Sequence, residues 1–547
     1  MSENRMMKIA GDFLNETNER LQKKYTSMMH ALWMVMMTGD MQWAERYGEE
    51  ETAYQDALAE DGLFEQAASL SSGGAEILTP LQNRQLEVLR SELLEFHTSR
   101  ELRTSITAKW NELHYKISTF RAEVDGRKLP EHDILKQLAT STDSGESRRH
   151  WGASMRLGGE VAPGLIELVK LRNRVARQNG YRNYYEMKMA AQELEPAFVE
   201  SMIREIRHAL DESYRAVKAE LDDEICIRFG IDREEIGPWH YDHPFAQKCA
   251  WRGGDIPDLD TAFFRQRLHD FFRGRWPEAE SILNQADLMS REMKSQANCC
   301  LHIDRAGDVR VSCGMAPSLE GAAVLLHELG HAFYETGLRE DLPFLLRQPG
   351  HTCLSEGAAL LFERLAYMPS WLKFAGLEQV YYGQAADLHR HYLRSQLFKL
   401  YWTITFIEFE RRLYENPNQH LNKLWWELVE EIQGIRRPDE WDYPYWAAKA
   451  HFTTLPVYYV NYLLGEAAAS QVEQTLRNRF GTWFSEEAFA CLSRELCSPG
   501  QCRHWNELLE QFCGEKLQAK YLARELQAVA DFYVTTSLNS DKRGMAR

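Results

Sequence analysis

Apolar residues recur every three or four positions along most of this chain, the spacing of one buried helix face. The pattern is strongest near residues 8–35, 80–125, 163–189, 197–229 and 377–415, where Ala, Leu, Glu, Gln and Arg dominate. Proline is sparse, 17 in 547 residues, so few of these runs are interrupted. One short stretch breaks the period. Cys300-Leu301-His302-Ile303-Asp304 alternates like a strand, and Val309-Arg310-Val311 can pair with it across Arg305-Ala306-Gly307-Asp308. Ser69-Leu70-Ser71-Ser72-Gly73-Gly74 reads as a loop between helices. No internal repeat and no clear linker are visible. The expectation is an all-α, mainly helical body over residues 1–547, a single domain of two lobes around a deep cleft with one small hairpin. Residues 540–547 are expected to form a disordered tail.

One helical run carries chemistry. Gly321 to Tyr334 is apolar except for His327-Glu328-Leu329-Gly330-His331. Residues i and i+4 share a helix face, so both imidazoles can reach one metal ion. Glu328 lies one step round the helix, where a general base for metal-held water would sit. Two surface histidines would give the same letters, but a polar set inside so apolar a run is costly without a purpose. A catalytic zinc site needs a third protein ligand. Glu356 is the best candidate, 25 residues on, in a second amphipathic segment, Cys353 to Glu363. Gly337, Pro343, Pro349 and Gly350 separate the two segments, which predicts helix, long turn, helix over about 318–367. Glu363 is the competing carboxylate, read as supporting the site from behind or as a surface residue.

At this point a resemblance appears. HELGH followed at this distance by Ser355-Glu356-Gly357-Ala358 resembles the gluzincin peptidases of helical fold, both the angiotensin-converting enzyme-like peptidyl-dipeptidases and the thimet oligopeptidase or oligoendopeptidase type. Leu342-Pro343-Phe344-Leu345-Leu346-Arg347 and the upstream run Leu171 to Tyr181 are similar to the first group. In that group a Lys-x-His pair precedes two tyrosines three apart. Lys449-Ala450-His451 matches the pair. Tyr459 and Tyr462 match the tyrosine spacing but sit one residue late, while Tyr458 matches the first tyrosine without a gap and leaves Asn461 at the second. The resemblance implies that Lys449, with Tyr458 or Tyr459, holds a substrate's terminal carboxylate, and that His451 and Tyr462 stabilise the oxyanion. Gln247, in Phe245-Ala246-Gln247, is implied as a further carboxylate contact. An aromatic packing stripe is the competing reading, since Tyr458 and Tyr462 are also i, i+4. The family's chloride-binding arginine falls at Asn461, so the resemblance does not carry chloride activation over. It allows a Cys299–Cys313 disulfide, and it implies that the hairpin binds substrate backbone by strand addition.

Composition narrows the partners. Net charge is −17 without a basic stripe, which disfavours nucleic acid. The Met-rich run Ser27 to Thr38 is too short to span a bilayer. The N-terminus has no apolar export core and the ten cysteines lack metal spacing, so a cytoplasmic protein with mostly free thiols is expected. The expected activity is hydrolysis of short peptides with one Zn2+ per chain, by removal of C-terminal dipeptides. An oligoendopeptidase and a non-catalytic peptide-binding protein are the alternatives. Retention of Glu328 argues against the last, because a structural site needs no base.

Overall fold

The computed structural model describes residues 3–74, 76–251, 258–316, 318–377 and 384–528. It is 70% helical, and its sheets are two antiparallel two-stranded hairpins among the described residues. The tail at 540–547 lies outside the described residues, as does 378–383 of the run expected at 377–415. The remainder of that run is one helix, Ala385–Glu415. Helices Glu3–Thr38 and Pro196–Phe229 cover the expected 8–35 and 197–229.

Three expectations need correction. The run near 80–125 is two helices, Pro80–Leu93 and Arg100–Thr119, restarted by Ser99, whose hydroxyl caps the second on Leu102 N–H. Its end is strand, not helix: Ala122–Val124 pairs with Arg127–Leu129 around Asp125-Gly126, both at positive φ. The run at 163–189 begins earlier. Helix Ser144–Gln178 passes straight through Pro163, and a separate helix, Tyr184–Ala191, follows. An internal proline costs about 3 kcal/mol, but Val161, Leu165 and Leu168 beside it are fully buried in the main core and hold the helix together. Ser69 to Gly74 is the end of helix Leu63–Gly74 rather than a loop, because Leu70 is buried in a second, smaller core with Leu14, Leu21, Leu86 and Leu89.

The main core runs from Leu102 to Leu526, and three helices cross it to build the site. Helix Leu319–Thr336 carries the HELGH motif. Ser318 caps its start on Gly321 N–H, and Gly337 follows its end. Helix Thr352–Glu363 carries Glu356, with His351 Nδ1 accepting from Cys353 N–H at 2.9 Å. Helix Tyr459–Phe480 packs on the other side of it. Two glycines permit this proximity. A Cβ on Gly330 would lie 2.6 Å from the Ala358 carbonyl oxygen, and one on Gly465 would lie 2.9 Å from Glu356 Cβ. Gly330→Ala is therefore expected to destabilise the fold by about 1–3 kcal/mol, more than alanine's helix propensity of about 1 kcal/mol can offset. A lowered denaturation midpoint checks this, and an unchanged midpoint contradicts the close packing.

The predicted hairpin is present as Cys299–His302 against Val309–Ser312. It rests on the motif helix, where His302 Nδ1 meets Glu335 Oε2 at 2.9 Å. The Cys299–Cys313 disulfide is not formed. Cys299 faces Ser312 in register, and all ten cysteines are free thiols. No described helix is long and apolar enough to cross a membrane.

Candidate metal centre and cleft

His327, His331 and Glu356 offer one ligand atom each, all within 4.8 Å of one another. Their other atoms are committed elsewhere, which fixes the direction of the free ones. His327 Nδ1 meets Glu363 Oε2 at 3.0 Å, and His331 Nδ1 meets Ser355 Oγ at 2.8 Å. Each ring thus turns its Nε2 to the common point, the tautomer control that histidine ligands need. Glu356 Oε1 accepts from Tyr458 Oη at 2.5 Å, while its Oε2 is buried without a hydrogen-bond partner, 3.8 Å from His327 Nε2. A buried carboxylate oxygen without a partner is costly. Two aligned imidazole nitrogens beside it make the donor set of a tetrahedral zinc site with one open position, so the residues present fit the ion.

The two histidines titrate differently: burial opposes the charge of His327, but the Glu363 hydrogen bond and the carboxylates of Glu363, Glu356 and Glu328 outweigh it and raise its pKa. Burial, helped by the neighbouring His327, pushes His331 down to about 3, which leaves the neutral imidazole that metal binding requires. Burial also raises Glu328, to about 7. His327 acts against that rise, while Glu356 and Glu363 reinforce it. Glu363 lies below the usual carboxylate range: burial opposes its charge, but Lys399 and the His327 hydrogen bond outweigh it. Glu363 is thus a half-buried partner of His327, held by a 3.0 Å contact to its Nδ1, and not an unpaired surface glutamate.

The cleft beside this centre encloses about 770 Å3 and is lined by His327, Gln247, Lys449, His451, Tyr459 and Tyr462, among others. Gln247 and Lys449, 202 positions apart in sequence, meet here. Lys449 Nζ donates to Gln247 Oε1 at 2.9 Å, and its ammonium lies 5.5 Å from the Trp402 ring centre and 6.0 Å from that of Tyr459. Burial pushes Lys449 down to about 8, with Glu131 acting in the other direction. Burial, then the charge of Lys449, pushes His451 down to about 3, and its Nδ1 is buried without a partner. Burial and Glu356 raise the Tyr462 hydroxyl, which stays a neutral donor.

Tyr458 departs from the carboxylate-binding role that the resemblance allowed it. It is not among the residues lining the cleft, and its hydroxyl is taken by Glu356. Tyr459 lines the cleft, stacked on Phe406 at 3.8 Å and edge-on to His451 at 5.1 Å. Val457, just before the tyrosines, is fully buried with φ +58°. A β-branched residue there costs of order 1–3 kcal/mol. Sequence reasoning did not single out Ser355, Lys399 or Val457. The first stands next to Glu356 and could have been found as a hydroxyl beside a ligand; the other two carry no local signal.

Two motif histidines and a glutamate from the next helix, presented to a cleft on a helical frame, define a gluzincin-type metallopeptidase. The sequence comparison agrees. A family model described as angiotensin-converting enzyme (Peptidase_M2) matches residues 266–542, just over half the chain. The chain belongs to that family and is a zinc metallopeptidase.

The ligand geometry gives a direct expectation. His331→Ala leaves one imidazole and one carboxylate, too few to hold zinc against a chelator. Elemental analysis after dialysis should show zinc near one per chain in the parent protein and almost none in the variant. Full zinc in His331→Ala would contradict the assignment of His331 as a ligand.

Proposed function

We propose that the protein removes dipeptides from the free C-terminus of short peptides, with His327, His331 and Glu356 as the zinc ligands. Lys449 carries the proposal: a half-buried lysine in the cleft beside the candidate zinc site, bonded to a neutral amide, Gln247, and paired with no carboxylate among the described residues. A partly desolvated cation of this kind is completed by an anion from outside. A peptide's terminal carboxylate supplies it, Gln247 and Tyr459 add donors, and the distance from this clamp to the metal centre sets where the cut falls.

Bound zinc supplies Lewis acidity and a water whose pKa falls toward neutrality. Glu328, raised by burial into the range of a working base, takes the proton of the attacking water and returns it to the leaving amine. As the carbonyl oxygen gains charge, the neutral imidazole of His451 and the phenol of Tyr462 donate to it. Glu363 and Ser355 hold the two histidine rings throughout. Tyr458 holds Glu356 by its second oxygen.

The state of Lys449 gives a pH dependence with a definite sign. Its ammonium is present below about 8 and lost above it. The specificity constant reports groups in the free enzyme. For peptides with a free C-terminus it should therefore fall as pH rises through about 8, and Lys449→Arg should move that limb upward. A profile flat from pH 7 to 10, in both proteins, would remove Lys449 from substrate binding.

A further inference from the structure

Val457 is held at both ends by side chains from distant parts of the chain. Its N–H donates to Glu410 Oε1 at 2.9 Å, from helix Ala385–Glu415, and its carbonyl accepts from Gln192 Nε2 at 3.3 Å, just past helix Tyr184–Ala191. Gln192 Oε1 in turn accepts from Asn461 Nδ2 at 2.8 Å, so the chain of bonds closes back on the helix that Val457 introduces. Glu410 is 1% exposed, and burial pushes its carboxyl up to about 8 against the pull of the Val457 amide and Arg172. A buried carboxyl and a left-handed valine are each costly. Here the two are in direct contact, and neither touches the metal centre or lines the cleft. The residues that follow at once are Tyr458, bonded to Glu356, then Tyr459 and Tyr462, which face the cleft.

From this arrangement we infer that Glu410 and Gln192 are positioning residues for the peptidase reaction, clamping Val457 in its left-handed conformation so that Tyr458 reaches Glu356 and Tyr459 and Tyr462 face the substrate. A tyrosine side chain is a lever. Rotation at Val457 toward an ordinary backbone region displaces the following hydroxyls by ångströms, more than a hydrogen bond tolerates. Without the clamp, the valine's own preference favours that rotation. With glycine at 457 the preference disappears, because glycine takes positive φ without a Cβ clash. The inference rests on the peptidase reading for its kinetic arm alone.

The test compares Glu410→Ala, the double variant Glu410→Ala/Val457→Gly, and Tyr458→Phe with the parent zinc enzyme. It measures kcat and KM on a peptide with a free C-terminus, the rate of zinc loss to a chelator, and Tm. Glu410→Ala should lower kcat about 10- to 100-fold, the scale of one backbone strain released. KM should rise by less than kcat falls, since Tyr459 is one donor of the carboxylate clamp while Lys449 and Gln247 stand outside the segment. Zinc loss should quicken about tenfold, as in Tyr458→Phe, because both free Glu356 from its hydroxyl partner. Adding Val457→Gly should return both rates to within about threefold of the parent. A general weakening of the core would lower Tm and would not be rescued by glycine at 457. Parent-like kcat and zinc loss in Glu410→Ala would overturn the inference, as would losses that Val457→Gly fails to recover. If Glu410→Ala does not fold, Gln192→Ala with and without Val457→Gly makes the same comparison. If the parent cleaves no peptide, the peptidase reading fails, and the zinc-loss rates alone still decide the clamp.

Discussion

Glu328→Gln is expected to lower kcat by about 10²–10⁴-fold while zinc stays bound, the usual scale for a lost general base. The amide keeps the shape of the side chain but cannot accept the proton. Glu328 is 7% exposed, on the same turn as His327 but pointing to its own contacts, among them the Cys300 backbone of the hairpin. Its removal therefore leaves the three ligand atoms and their hydrogen-bond partners untouched. KM should move little, because the carboxylate acts on the water rather than on the bound peptide. Turnover near that of the parent, with zinc shown to be present, would reject Glu328 as the base.

The second large effect concerns the far end of the substrate. Amidating a peptide's C-terminus should lower its specificity constant by about 2–5 kcal/mol, the cost of leaving one partner of a buried charge pair alone. Lys449→Ala should lower the rate on free-acid peptides by a similar factor and erase most of the difference between free and amidated forms. The double comparison separates a direct pairing from a general loss of fit. If Lys449→Ala still discriminates as the parent does, another cation holds the carboxylate and the clamp is misassigned.

The candidate centre was legible from residue spacing, since HELGH on an apolar helix sets two histidines on one face with a glutamate beside them. Glu356 followed from a second periodic segment after a Pro- and Gly-marked turn. The role of Glu363 was not decidable, because i+7 places it on the face of Glu356 whether that face meets a histidine or solvent. Tyr458 and Tyr459 were not separable either. Val457, just before them, sits at φ +58°, and nothing in a β-branched residue announces that conformation. The clamp on it comes from Glu410 and Gln192, tertiary partners with no local pattern. Two errors in the fold have opposite causes. Asp125-Gly126 is a hairpin signal that the helical period around it obscured. Ser69 to Gly74 has the composition of a loop, but burial of Leu70 against the N-terminal helices keeps it helical. The disulfide that the resemblance allowed is absent: Cys299 and Cys313 are both free thiols.

The position of the cut in a peptide separates dipeptide removal from internal cleavage. A mass-spectrometric product map on a nested set of peptides, sharing one C-terminal sequence and differing in length, reads this directly. The clamp at Lys449 predicts that every parent peptide first releases the same C-terminal dipeptide, whatever its length, and that amidated copies are spared. Fragments of varied size, released equally from free and amidated peptides, would contradict it and make the protein an endopeptidase of short chains.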